Sequence, residues 1–179
     1  MSSAPPSLSS LRAVPAYRAT RSATRRPLAV AAACALAVAI AGGLATDTGP
    51  WYRGLAKSPW TPPDWVFAPA WTAIYALAVA SAVEGWRALR SRTEQALLVS
   101  LFFVNAVLNV AWSALFFTAR RPDWALAEVI TLWISVAVLV AFLHSRSRRA
   151  SRLLVPYLAW VSFAAYLNYE IVARNGPFG

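Results

Sequence analysis

Cysteine and histidine are nearly absent from this sequence, which contains one of each. A disulfide needs two cysteines, and a structural metal site commonly takes four cysteine or histidine ligands, so the chain is held together by neither. Cys34 lies inside an apolar run, where an inert buried thiol is the expected role. We therefore expect no metal ligands in this protein.

Charge is also scarce, and negative charge most of all. Only 13% of the residues are charged, with 7 acidic against 17 basic, while 59% are hydrophobic. A soluble domain carries about 25% charged residues, so a soluble fold of this chain could not cover its surface with polar groups. A lipid bilayer removes that requirement, because the outer surface of a membrane protein is apolar. The composition predicts an integral membrane protein.

The net charge of +10 raises the question of a nucleic-acid partner. The basic residues, however, form short clusters between apolar runs, which is typical of topology signals in membrane proteins and not of one basic face on a folded domain. The charge pattern therefore argues against nucleic-acid binding.

Five apolar segments are long enough to cross a bilayer, since a transmembrane helix needs about 20 residues. The sequence predicts an all-α bundle of five transmembrane helices within a single membrane domain, residues 27–179. The predicted helices cover residues 27–45, 66–88, 95–117, 124–143 and 153–172.

Residues 1–26 are rich in Ser, Ala, Pro and Arg and contain no acid. We predict a disordered basic tail, because such a segment buries too little apolar surface to fold alone. An organelle transit peptide has a similar composition and is the alternative. The basic residues also indicate orientation: with the N-terminus inside, twelve Lys and Arg face the inside and five the outside. The positive-inside rule then predicts N-in, C-out.

In this orientation most tryptophans gather toward the outer face. Trp51, Trp60 and Trp65 lie in the first outer loop, while Trp71, Trp112 and Trp124 lie near outer helix ends. An interfacial aromatic belt is the simplest explanation, but a belt would populate both faces. The same loop carries four prolines, which fix backbone angles, so we predict a semi-rigid lid over the outer end of the bundle.

Polar residues accompany these rings along two helical stripes. The third span carries Asn105, Asn109, Trp112 and Phe116 on one face, and the fifth carries Trp160, Ala164, Leu167 and Asn168. Unpaired amides in hydrocarbon are costly, so the asparagines should point into the bundle. Asn105 and Asn109 either form hydrogen bonds between helices or belong to a ligand pocket, and the sequence leaves both alternatives open. The combined pattern predicts an aromatic pocket with a few polar anchors.

Two acidic residues fall within the spans. Glu84 is expected to pair with Arg87, three residues further along its helix. Glu128 either pairs with Arg120 or Arg121 or tunes the pocket mouth. The sequence shows no catalytic triad, carboxylate dyad or phosphate-binding loop, so ordinary enzymology is not expected.

The sequence carries a series of short motifs around its tryptophans. They are WY (51–52) with LAKSPWTPP (55–63), WVFAPAW (65–71) with Tyr75, NVAWSALFF (109–117), WALA (124–127), PYLAW (156–160), Phe163-Ala164 and Leu167-Asn168. These motifs resemble those of the TspO/MBR family, the tryptophan-rich sensory proteins, which include the mitochondrial translocator protein (peripheral-type benzodiazepine receptor). The likeness covers residues 27–179 in order, with similar spacing.

The resemblance implies a five-helix bundle, often a homodimer, that binds porphyrins such as protoporphyrin IX or haem as ligands, with no required cofactor. It also implies sterol binding, with a weak motif at Leu167, Tyr169 and Arg174, and Glu170 departs from that motif. Some relatives are implied to degrade porphyrins in light, for which Trp65, Trp71 and Trp160 are the candidates. The family pocket, carried over, comprises Phe67, Ala68, Ala70, Trp124, Ala127, Trp160, Ala164 and Leu167.

Together, the stripes, the loop and the resemblance predict ligand-binding residues. These are Trp51, Trp60, Trp65, Phe67, Ala68, Ala70, Trp71, Asn105, Asn109, Trp112, Trp124, Ala127, Trp160, Ala164, Leu167 and Asn168. Three hypotheses follow: a tetrapyrrole sensor or carrier, a light-dependent porphyrin degrader, and a structural membrane protein with an incidental pocket. A bacterial inner membrane is the expected location and an organelle membrane the alternative.

Overall fold

The computed structural model describes the backbone of residues 16–178 and the side chains of residues 27–178. All regular structure in this range is helical. The helices are α1 (Ala16–Ala45), α2 (Pro50–Gly54), α3 (Phe67–Ala88), α4 (Arg92–Ser113), α5 (Pro122–His144) and α6 (Arg148–Asn175), with a 3-10 turn at Asp64–Val66 and a π-helical turn at Ala114–Thr118.

Five of these helices are long and apolar enough to cross a membrane, which confirms the predicted five-helix bundle. The spans are Pro27–Ala45, Asp64–Ala88, Arg92–Thr118, Pro122–His144 and Arg148–Asn175. The chain is therefore an all-α integral membrane protein. The N-in, C-out orientation stays a prediction.

The first helix begins earlier than predicted. α1 starts at Ala16, so the expected disordered tail is wrong for residues 16–26, and residues 1–15 lie outside the described residues. The stretch from Ala16 to Arg26 contains neither Gly nor Pro. Extending a helix that is already nucleated costs little free energy, so this polar stretch continues the apolar one.

Polar caps set several helix starts. Ser91 precedes α4, and its hydroxyl accepts a hydrogen bond from the Glu94 amide at 3.1 Å. Ser147 precedes α6 and accepts from the Ala150 amide at 3.2 Å. Pro122 occupies the first turn of α5, where a backbone N–H would have no acceptor within the helix, so the N–H that proline lacks is not needed.

The bundle end formed by the α3–α4 and α5–α6 connections, here called the closed end, has an aliphatic core. Leu139, Leu143 and Leu154 are fully buried there. Gly85 of α3 permits close approach to α5, because a Cβ at this position would lie 2.7 Å from Leu143 Cδ2. Ser81 also ties α3 to α6 by donating a hydrogen bond to the Ala150 carbonyl at 2.8 Å.

At the other end, here called the loop end, residues 46–66 connect α1 to α3. The connection is not a plain coil, because it contains the short helix α2 and the 3-10 turn. The π-helical turn that ends α4 lies at the same end and buries Phe116 and Phe117 side by side. Arg120 follows in a left-handed conformation with φ of 54°, which redirects the chain into α5.

The two intramembrane acids behave differently. Glu84 pairs with Arg87 at 3.3 Å, as predicted. Of the two alternatives for Glu128, pairing with Arg120 or Arg121 is wrong: both carboxylate oxygens are buried, with no hydrogen-bond partner among the described residues. Arg121 instead binds Asp123, with its Nε 2.8 Å from Oδ1. This bond with Asp123 raises the pKa of the Arg121 guanidinium.

Candidate functional site

A cavity of about 480 Å³ lies at the loop end, bounded by α1, α3, α4, α6 and the first loop. Its walls are mainly aromatic, and small residues of α1 form one side. The aromatic lining is Tyr52, Phe67, Trp71, Tyr75, Trp112, Phe116, Phe117 and Trp160, and the small residues are Ala39, Gly42 and Gly43.

The rings brace one another in two groups. On the α3–α6 side, Trp71 stacks on Tyr75 with centroids 5.5 Å apart and meets Trp160 edge-on at 6.4 Å. On the α4 side, the Trp112 and Phe116 centroids are 5.4 Å apart. Each such pair contributes about 0.5–1.5 kcal/mol beyond burial, so the walls are held in shape before any ligand arrives.

A chain of side-chain hydrogen bonds runs from the cavity into the bundle. Tyr75 Oη donates to Asn109 Oδ1 at 2.9 Å, and Asn109 Nδ2 donates to Tyr157 Oη at 3.1 Å. Tyr157 Oη then donates to Asn105 Oδ1 at 3.2 Å, and Asn105 Nδ2 donates to Ser135 Oγ at 2.8 Å. The chain links α3, α4, α5 and α6, so it fixes the floor of the cavity.

These bonds separate the two alternatives for the asparagines. Asn105 lies away from the cavity and serves the interhelical network alone. Asn109 lines the cavity and belongs to the same network. Both side chains are buried, at 6% and 4% exposure.

A second amide holds the tryptophan of α4. Trp112 Nε1 donates to Asn168 Oδ1 at 3.1 Å, and Asn168 Nδ2 donates to the Pro122 carbonyl at 2.8 Å. The Trp112 ring is therefore tied through α6 to the start of α5. Its face remains on the cavity wall.

The first loop forms the roof, in agreement with the predicted lid. Tyr52 is buried against Phe117, with centroids 5.4 Å apart. Lys57 Nζ donates to the Tyr52 carbonyl at 2.7 Å and lies 4.3 Å from the Tyr52 ring centroid. Burial, and secondly the negative charge of Asp64, raise the pKa of Tyr52. The roof is thus anchored to the wall by a buried, neutral phenol.

Asn175, at the end of α6, fastens the loop from the other side. Its Oδ1 accepts from the Ala56 amide at 2.7 Å, and its Nδ2 donates to the Ala56 carbonyl at 2.9 Å. This pair of bonds joins residues 119 positions apart in sequence. The roof is therefore clamped at Ala56 as well as at Tyr52.

Nine of the residues predicted to bind ligand line this cavity. They are Phe67, Ala68, Trp71, Asn109, Trp112, Trp160, Ala164, Leu167 and Asn168. Both stripes face the bundle interior, as predicted, and all their members line the cavity except Asn105, which is buried deeper in the bundle. The role of these residues in binding a ligand stays a prediction.

The other predicted residues lie outside the cavity: Trp51, Trp60, Trp65, Ala70, Asn105, Trp124 and Ala127. Trp60 and Trp65 point outward, with 74% of each exposed. In the 3-10 turn, Asp64 and not its neighbour Trp65 lines the cavity. Trp51 packs behind the wall, against Phe116. α5 contributes nothing to the lining, and its Trp124 is exposed beside Arg121, whose guanidinium carbon lies 4.3 Å from the ring centroid.

Several lining residues were missed by sequence reasoning. The Gly42-Gly43 pair near the end of α1 was a usable signal, since adjacent glycines in an apolar helix leave room beside it. Tyr75 follows Trp71 by one turn on the same face of α3. Phe117, Thr61 and Asp64 gave no comparable signal, because turn geometry decides where they point.

Comparisons with known proteins agree with this architecture. The sequence model of the TspO/MBR family matches residues 29–174. The chain is 39% identical over 154 residues to the tryptophan-rich protein TspO of Chlorobaculum tepidum, covering 83% of this chain and 95% of that one. It is 42% identical over 127 residues to the translocator protein of Sus scrofa, covering 70% and 75%. It is 34% identical over 149 residues to the protein CrtK of Rhodobacter capsulatus, covering 82% and 89%.

Proposed function

The chain belongs to the TspO/MBR family, and from this premise we propose that it binds a tetrapyrrole, such as protoporphyrin IX or haem, in the cavity beneath the first loop. Binding there would serve a sensor or a carrier in the membrane. The observation that carries the proposal is the aromatic cavity itself, with rings on opposite walls and a clamped roof.

The chemistry of the walls supports a flat, largely apolar ligand. Ligand sites commonly measure about 300–1,000 Å³ and combine apolar walls with a few polar groups, and this cavity has both properties. Trp71, Trp160 and Trp112 offer faces or edges on which a conjugated ring system packs. Asn109 and Asn168 are committed to hydrogen bonds within the bundle, so recognition rests mainly on shape and ring contacts.

A titration with a matched control tests the proposal. Protoporphyrin IX is added in the dark to the purified chain in detergent micelles, and the porphyrin absorbance is followed to saturation. Trp160→Leu removes a ring that contacts both Phe67 and Trp71, so we expect an affinity loss of about tenfold. Trp133→Leu is the control, because Trp133 lies outside the cavity and bonds to Ser162.

The two variants are expected to differ in their affinity for porphyrin. Saturable binding to the wild type that weakens in the Trp160 variant and not in the Trp133 variant supports the site. Absence of saturable binding to the wild type contradicts the tetrapyrrole proposal and leaves the structural-protein hypothesis.

Light-dependent porphyrin degradation is the second candidate. It is favoured by one observation: Trp71 and Trp160 both line the cavity, with ring centroids 6.4 Å apart, where either could give an electron to an excited porphyrin. Trp65, the third candidate, lies outside the cavity. The bound complex is illuminated in air and its spectrum recorded; a product that forms in the wild type and is lost in Trp160→Phe supports the activity, and unchanged spectra contradict it.

Sterol binding has weaker support. Leu167 faces the cavity, whereas Tyr169 is 57% exposed, so the two do not share a surface. The Arg174 guanidinium is paired with Glu170, with its Nε 2.9 Å from the carboxylate. The homodimer and the bacterial inner membrane remain predictions.

A further inference from the structure

The described lining of the cavity carries one formal charge, and it is negative. Asp64 is the first residue of the 3-10 turn, and because it lines the cavity and is also exposed to solvent, it marks the cavity mouth. The same lining includes the threonines Thr46, Thr48 and Thr61. No Lys, Arg or His is part of this lining. The cavity therefore presents a carboxylate and neutral groups to whatever enters it.

The basic residues of the loop end lie outside this lining, and three of them have partners of their own. Lys57 is held by the Tyr52 carbonyl and ring. Arg121 is paired with Asp123, and Arg120 lies over the ring of Trp51, with its guanidinium carbon 5.8 Å from the centroid. None of these cations faces Asp64 from inside the cavity. The field of Asp64 also reaches the roof, where it contributes to the raised pKa of Tyr52.

We infer that Asp64 is a specificity-determining residue that opposes ligand carboxylates at the cavity mouth. The rest of the lining is neutral and largely apolar, so an acid-bearing tetrapyrrole binds with its propionates at the mouth, beside the Asp64 carboxylate. A neutral ester of the same ring system escapes the repulsion. This inference rests on the proposed function, because it specifies which charge state of the ligand the same cavity favours.

The expected effect is moderate. Asp64 is exposed and therefore partly screened by water and salt. Repulsion between unit charges several ångströms apart near a protein surface then changes affinity by about three- to tenfold. An affinity change of this size can be measured when the affinities of two ligands for two variants of the protein are compared in one thermodynamic cycle.

The experiment measures the affinity of the full chain, in detergent micelles, for protoporphyrin IX and for its dimethyl ester. Asp64→Asn removes the charge with little change of shape. Asp64→Glu keeps it. Asp47→Asn is the matched control, since Asp47 is an exposed acid of the same loop outside the cavity lining, and asparagine preserves its side-chain oxygen's bond to the Gly49 amide.

The inference requires Asp64→Asn to raise the affinity for the diacid about three- to tenfold and to change that for the ester less than about twofold. Asp64→Glu and Asp47→Asn should leave the ratio of the two affinities as in the wild type, and added salt should reduce the Asp64→Asn effect. Equal shifts for both ligands, or no shift, overturn the role of Asp64 while leaving tetrapyrrole binding intact. Absence of saturable binding of either ligand to any variant overturns both proposals.

Discussion

The two ends of the helix bundle are built from different side chains, and they pack differently. At the closed end, aliphatic side chains fill the space between the helices, and Leu143 of α5 packs against Gly85 of α3 and is completely buried. At the loop end, aromatic rings braced by asparagine side chains surround about 480 Å³ of space. Flexible aliphatic side chains fill gaps, whereas rings that are hydrogen-bonded and stacked keep a gap open.

From this contrast we predict that the closed end contributes most of the stability and that the loop end carries the proposed binding. Each of the following variants alters one part of the bundle, and its stability and porphyrin affinity show whether the two ends are independent.

Leu143→Ala has the largest expected effect, and it acts on stability. It removes a fully buried side chain packed against Gly85, so the free energy of unfolding should fall by about 2–4 kcal/mol. Thermal unfolding in detergent measures the loss. The folded fraction should bind porphyrin with wild-type affinity, and a large loss of affinity in that fraction would show that the two ends are not separate.

Asn109→Leu acts at the boundary between the two ends. It leaves the Tyr75 hydroxyl without its acceptor and the Tyr157 hydroxyl without one of its two amide partners, so the free energy of unfolding should fall by about 1–2 kcal/mol. Porphyrin affinity should fall with it, because the floor of the cavity loosens. Ser162→Ala is the control: it removes the bond to the exposed Trp133 and should change neither stability nor porphyrin affinity. If the Asn109 variant is as stable as the wild type, the hydrogen-bond chain does not hold the floor of the cavity.

Asn175→Ala acts mainly on the roof, although it also removes a bond to the Ile171 carbonyl within α6. It removes both bonds to the Ala56 backbone, so bound porphyrin should dissociate about three times faster, with only a small change in melting temperature. Stopped-flow dissociation into empty micelles measures the rate. Asn175→Asp keeps the acceptor for the Ala56 amide and should give an intermediate rate; identical rates for all three proteins would contradict a clamped roof.

Tyr52→Phe has the smallest expected effect and appears only at alkaline pH. Burial, with help from Asp64, raises the pKa of Tyr52 above its ordinary value of 10.0. The unfolded chain therefore releases this proton before the folded chain does, so the stability from neutral Tyr52 is present below that value and is lost as the pH rises above it. When the pH is raised from 8 to about 10.5, the melting temperature should fall less in the variant than in the wild type. An equal fall in both proteins would contradict a buried Tyr52.

Part of the fold and of the cavity lining could be predicted from the sequence, and the remainder could not, because it depends on turn geometry and on helix packing. The five spans and the two stripes on α4 and α6 follow from hydropathy and helical period, so they could be predicted and the structure places them as expected. The choice between Asp64 and Trp65 for the cavity mouth depends on a single 3-10 turn, which leaves no periodic signal. Trp124 and Ala127 were carried over from the family resemblance, and the packing of α5 against α4 and α6 leaves both outside the cavity.

The central claim is that a ligand occupies the cavity beneath the first loop, and filling that space tests it most directly. Ala164 lies on the cavity wall, whereas Ala127 lies outside it, exposed on α5. Protoporphyrin IX is titrated against Ala164→Phe and Ala127→Phe, with folding checked by thermal unfolding. We predict that Ala164→Phe lowers the affinity at least about tenfold and that Ala127→Phe binds as the wild type does. Wild-type affinity in a folded Ala164→Phe, or loss of binding only in Ala127→Phe, would contradict the account.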